Sequence, residues 1–248
     1  MRYIDLSMQS GGMIGGRRLS RLLTENLGDL SIEHLPKPFI TVATELATGH
    51  EIWLRQGPLV QALRASYALP GIFPPVEIEG HPLVDGALVN PVPVSVCRAM
   101  GARLVIAVNL NADMLGSELK QAHKGKNGGK NSGKDGGNSG GKGGSDDKSS
   151  GGGIGGGIGI GSGVLDGLFR RDGTPSMFNV MAGALNILQD RLGRSRLAGD
   201  PPDVTIAPRV GHIGLLDFDC AEELIGCGEA AVERSMPFLQ DALTILRA

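Results

Sequence analysis

The chain has 248 residues, of which 41% are hydrophobic and 20% charged, the range of one large α/β domain or two small ones. A formal net charge of -2, a pI near 6.2 and only 4% aromatic residues give neither a basic patch nor a stacking platform, which argues against a nucleic-acid partner. Cys97, Cys220 and Cys227 are scattered and odd in number, so they read as reduced thiols and not as a disulfide framework or a metal site.

Met1 to Leu6 has no apolar core or cleavage site of a signal peptide, and no run approaches the roughly 18 apolar residues of a membrane span. The expected location is the cytoplasm, with a peripheral membrane surface as the other option. Arg17 to Asn26 puts Leu19, Leu22 and Leu23 on one face and predicts a short amphipathic helix. Phe39 to Thr44 is β-branched and follows Pro38, which predicts a strand. Thr48-Gly49-His50 then breaks the chain before an adjacent strand at Glu51 to Arg55. Pro58 opens a helix over Leu59 to Ala65.

Val76-Glu77-Ile78, Glu79-Gly80 and His81 to Val84 read as a hairpin, and Pro93 to Ala99 as a helix ended by Gly101. Leu104 to Leu110 is a continuous apolar run, the pattern of a strand buried on both faces of a parallel sheet. Strands alternating with helices predict a layered α/β domain.

From about Ser117 to Gly163 the chain is Gly, Ser, Lys and Asn, with seven lysines against Glu118, Asp135, Asp146 and Asp147. Such a composition cannot bury enough surface to offset its ordering entropy. It reads as a flexible, solvated insertion within residues 113–173. Order is expected again over 174–248, with a helix at Met177 to Leu197, a strand at Asp203 to Pro208 and a helix at Asp219 to Leu246 weakened at Gly226 and Gly228. The insert therefore interrupts one domain, begun in 1–112 and completed by 174–248.

Several formal motif matches lack the context their chemistry needs. Gly137-Asn138-Ser139-Gly140-Gly141 fits G-x-S-x-G, but neither a strand nor a helix flanks Ser139 to present its hydroxyl at a sharp turn. Gly151 to Gly156 and Gly128 to Lys134 imitate nucleotide-binding loops in the same Gly-rich tract. His34, His50, His81, His123 and His212 are dispersed, so neither a Ser-His-Asp triad nor a metal site has support in the sequence. No cofactor is implied.

The strongest constellation is Ala65-Ser66-Tyr67-Ala68-Leu69-Pro70, followed by Asp85-Gly86-Ala87 and Asn90-Pro91. A helix ends at a Pro-Gly corner, the chain crosses to a hairpin, and the returning strand delivers Asp85 at its tip. An Asp so placed serves as a general base when a nucleophile lies within hydrogen-bond reach. Gly86 lets the backbone turn tightly behind the carboxylate.

These paired segments resemble the A-S-x-A-x-P and D-G-A/G motifs of patatin-like phospholipases. Pro208 and Glu222 to Ala231 are similar to that family's closing strand and helix. The resemblance implies a three-layer α/β/α sandwich with a mostly parallel sheet. It also implies a lipid acyl hydrolase with a Ser–Asp dyad, in which Asp85 takes the proton from Ser without a histidine. The implied partner is a lipid acyl ester; head-group preference and oligomeric state stay open. The family's oxyanion loop and nucleophile elbow precede the region matched here, and neither Ser7 nor Ser10 has elbow flanks. The domain is therefore expected to be truncated at its N-terminus. The expected function is that of a patatin-like acyl hydrolase without its Ser; the alternative is an inactive remnant that binds lipid or protein.

Overall fold

A computed structural model describes residues 16–112, 177–213 and 219–247. The Ser139 motif, the two Gly-rich loops, the insertion, Ser7, Ser10 and His123 lie outside the described residues.

Helix α1, Arg17–Leu27, closes at Gly28, whose φ of 58° suits a residue without a Cβ. Strand β1, Thr41–Glu45, runs antiparallel to β2, Glu51–Leu54, pairing Thr41 with Leu54 and Ala43 with Ile52. Helix α2, Leu59–Ser66, follows Pro58, which occupies its N-cap. Strands β3, Val76–Ile78, and β4, His81–Asp85, form the expected hairpin through Glu79 and Gly80, at φ 52° and 81°. Two consecutive positive φ values match the right-handed twist of the strands they join.

The four strands stand in the order β2-β1-β4-β3, and every pair is antiparallel. This departs from the expected, mostly parallel sheet. The β1–β2 and β3–β4 connections are too short for parallel crossovers, which need about a dozen residues or more. Helix α2 covers one face of this sheet, where Ala65 and Ala68 meet Ala43, Val76 and Leu83. Small residues on both sides let helix and sheet approach closely. A second cluster, Ile32, Leu59 and Ala62, joins α2 to the chain after α1.

Helix α3, Val94–Ala99, leads into β5, Ile106–Val108, which pairs in parallel with β6, Val204–Ile206. The parallel direction agrees with the apolar run at 104–110, but the strand is shorter and its burial is one-sided. Val105 and Ala107 pack on Val94, while Ile106 and Val108 are 46% and 54% exposed. Helix α4, Met177–Gly199, and α5, Ala221–Arg247, complete the described elements, and α5 packs on β6. Gly226 and Gly228 do not interrupt α5, nor does Pro237. Packing around the buried Ala231 outweighs the local propensities.

Asp203 fastens the parallel pair. Its carboxylate accepts the Val105 N–H at 2.6 Å and the Arg98 guanidinium at 2.7 Å. The Val105 N–H first, and Arg98 after it, hold the Asp203 pKa below the usual carboxylate value. A depressed folded pKa means stability that is present above the unfolded value and lost as pH falls through the folded one. Asp203→Ala is expected to cost about 1 kcal/mol at pH 7, discounted for exposure, and less under acid. Urea denaturation at both pH values checks this.

Candidate active site

Strand β4 ends at Asp85, and its backbone is clamped from two sides. The Asp85 N–H donates to the Ala68 carbonyl at 3.0 Å, and the Asp85 carbonyl accepts the Thr44 hydroxyl at 2.8 Å. Asp85 also pairs with Ala43 across the sheet. Ala68 belongs to the A-S-Y-A-L-P segment, so the two motifs read from the sequence meet in one hydrogen bond. Thr44 is buried. Thr44→Val is expected to cost about 1 kcal/mol, because it leaves a part-buried carbonyl without its donor; the urea midpoint reports this loss.

The Asp85 side chain turns back to cap the 3-10 turn Gly86–Leu88, accepting the Ala87 N–H at 2.8 Å. Burial pushes the Asp85 pKa above the ordinary Asp value, and the Ala87 bond opposes this only in part. No described residue forms an ion pair with it. Gly86 contributes differently from the sequence expectation. Its φ is not positive; it is needed because a Cβ there would stand 2.2 Å from the Val42 carbonyl oxygen. Strand β1 passes directly behind the turn.

The turn is closed by Asn90, only 3% exposed, whose N–H donates to the Gly86 carbonyl at 2.8 Å. The Asn90 amide donates to Glu51 at 2.9 Å and to the Ser95 hydroxyl at 3.2 Å. Glu51 also accepts the Trp53 indole N–H at 2.8 Å and lies 3.7 Å from the Arg196 guanidinium. One carboxylate thus ties β2, the Asp85 turn and α4 together. Nothing in the sequence pattern marks Glu51 or Thr44, since both act through residues about 40 positions away.

Beside this frame, Leu69, Ile72 and Phe73 pack with Leu19, Tyr67 and Leu185. The Tyr67 and Phe73 rings meet edge to face, with centroids 5.3 Å apart at 72°. The Tyr67 hydroxyl is buried and has no hydrogen-bond partner among the described residues. An unmet buried hydroxyl costs about 1–3 kcal/mol. Trp53 stands on the edge strand β2 and is 39% exposed.

None of the four described histidines hydrogen-bonds Asp85; His81 faces Glu45 and His212 faces Glu223. No group of His, Cys, Asp or Glu among the described residues is arranged to hold a metal ion. No helix among them is long and apolar enough to cross a membrane.

The Asp85 carboxylate thus stands at a strand tip, clamped through its backbone and raised in pKa by burial, an arrangement suited to accepting a proton. Residues 1–98 match the patatin-like phospholipase family. An uncharacterized NTE family protein of Mycobacterium tuberculosis is 36% identical over 116 residues, which cover 47% of this chain and 32% of the relative. A second such protein of Mycobacterium tuberculosis is 36% identical over 114 residues, or 46% of this chain and 20% of the relative. Neuropathy target esterase sws of Drosophila melanogaster is 33% identical over 115 residues, 45% of this chain and 8% of the relative. The chain thus spans about a third or less of the length of these relatives.

Proposed function

We propose that this chain carries the base-bearing part of a lipid acyl hydrolase, a phospholipase or esterase in which Asp85 accepts the proton of an attacking Ser hydroxyl. The observation that carries this reading is the Asp85 carboxylate itself. It is half-buried, has no cationic partner among the described residues, and sits on a turn fixed by Ala68, Thr44, Val42 and Asn90. A carboxylate kept only for structure is ordinarily paired or solvated. A raised pKa brings its proton affinity closer to that of the group it must deprotonate.

The nucleophile belongs to polypeptide outside the described residues. The half-exposed Ile106 and Val108 support this, because the strands of a parallel sheet are normally covered on both faces. In this reading β5 and β6 are part of a three-layer α/β/α sandwich, and residues 174–248 complete the domain begun in 1–112. The substrate is an acyl ester of a lipid, met at a membrane surface or in solution.

The test uses the full-length gene product that contains these residues. It should hydrolyse p-nitrophenyl butyrate and take up a fluorophosphonate on one Ser. A folded product that does neither removes the enzyme and leaves the lipid- or protein-binding remnant as the remaining reading.

A further inference from the structure

The turn that carries Asp85 is held at both ends from the neighbouring strands. Its entry is fixed where the Thr44 hydroxyl donates to the Asp85 carbonyl at 2.8 Å. Its exit is fixed at Asn90, whose N–H donates to the Gly86 carbonyl and whose side-chain amide donates to Glu51 at 2.9 Å. Thr44 and Glu51 are register partners on β1 and β2, so the two clamps stand opposite each other in the sheet. The other amide bond of Asn90, to Ser95, is made within the same stretch of chain and moves with it. Glu51 is the anchor on a different strand.

Glu51 is unusual for its place. A strand at the edge of a sheet ordinarily turns its charged side chains to water, yet the Glu51 side chain is only 18% exposed. Its bonds favour reach over charge. The nearer partners are the neutral N–H groups of Asn90 and Trp53, at 2.9 and 2.8 Å on one oxygen, whereas the exposed Arg196 guanidinium lies 3.7 Å from the other. An ion pair so open contributes little. A donor on the buried Asn90 is costly to leave unmet.

One planar peptide connects Asn90 to the carboxylate. The Gly86 carbonyl accepts the Asn90 N–H, and the Ala87 N–H of the same peptide is the one that the Asp85 carboxylate accepts. A displaced Asn90 therefore tilts the group that orients Asp85. We infer that Glu51 is a positioning residue for Asp85, acting through the Asn90 side chain and the Gly86–Ala87 peptide. This role rests on Asp85 being the base.

Three substitutions in the full-length gene product separate reach from charge. Glu51→Gln keeps the length and an oxygen for Asn90 but loses the charge. Glu51→Asp keeps the charge but is one methylene shorter, and Glu51→Ala loses both. Glu51→Asp and Glu51→Ala should lower kcat for p-nitrophenyl butyrate about tenfold or more, with KM within about threefold, because a displaced base is felt in the transition state. Glu51→Gln should recover kcat to within about threefold of the parent. The Asn90 side-chain amide and the Ala87 backbone amide, followed by NMR, should shift together in Glu51→Asp and Glu51→Ala and keep the parent positions in Glu51→Gln. Parent kcat in Glu51→Asp, a Glu51→Gln as impaired as Glu51→Ala, or an Ala87 amide that stays while that of Asn90 moves would each overturn the role. The two amides report without hydrolysis. An inactive parent would therefore refute Asp85 as the base, while the amide pattern still decides whether Glu51 sets the turn.

Discussion

Asp85→Asn in the full-length gene product is expected to lower kcat for ester hydrolysis about a thousandfold while KM changes less than about threefold. The asparagine keeps the volume and an oxygen for the Ala87 N–H, so the capped turn persists. Only proton acceptance is lost, and that loss falls on the transition state. The same substitution should have the opposite effect on folding. Burial raises the Asp85 pKa, so the ionised carboxylate is less comfortable in the folded chain than in the unfolded one. Its destabilising contribution is fully present above the raised folded value. It fades as pH falls and vanishes below the unfolded value near about 3.9. Asp85→Asn should therefore be more stable than the parent by about 1 kcal/mol at pH 7 and equal to it under acid. An active, destabilised Asp85→Asn would show that the carboxylate is a structural cap and nothing more. The rate should also rise with pH through a value above the ordinary Asp range, reporting the same shifted group.

The site was legible where its logic is local. Pro58 before α2, the Glu79-Gly80 corner, and Asp85 at the end of an apolar strand are short-range signals, and each element formed where the pattern put it. The pairing of A-S-Y-A-L-P with D-G-A was also readable, though only as a co-occurrence. The structure supplies its physical content, a carbonyl at Ala68 holding the N–H of Asp85. Strand direction was not legible from hydrophobic periodicity. Thr41 to Glu45 is buried almost throughout, the pattern expected of parallel strands, yet both of its neighbours are antiparallel. The length of the Leu46–His50 connection carried the information that periodicity did not. Glu51 and Thr44 were beyond reach, because their roles depend on which distant residues the register brings opposite them. Gly86 was correctly marked as special but for a reason that belongs to Val42, 44 residues earlier.

That reason makes Gly86→Ala the substitution with the largest expected effect on folding. A Cβ at 86 would lie 2.2 Å from the Val42 oxygen and 2.6 Å from the Val42 carbonyl carbon. Both are backbone atoms of a central strand, so no side-chain rotation relieves the contact. Relief requires β1 and β4 to separate, which breaks the Ala43–Asp85 pairing and the Thr44 bond to the Asp85 carbonyl. The cost should be about 3 kcal/mol or more, at the upper end of overpacking because backbone must move. Gly101→Ala is the control. Gly101 has φ 86° with nothing near its Cβ position, so only left-handed strain of about 1 kcal/mol applies. Urea denaturation of the two variants separates a glycine required by a neighbour from one required by its own dihedral. If Gly86→Ala proves no worse than Gly101→Ala, β1 does not press on the turn. Asp85 would then lack the rigid backing that a base needs to hold its carboxylate against a hydroxyl.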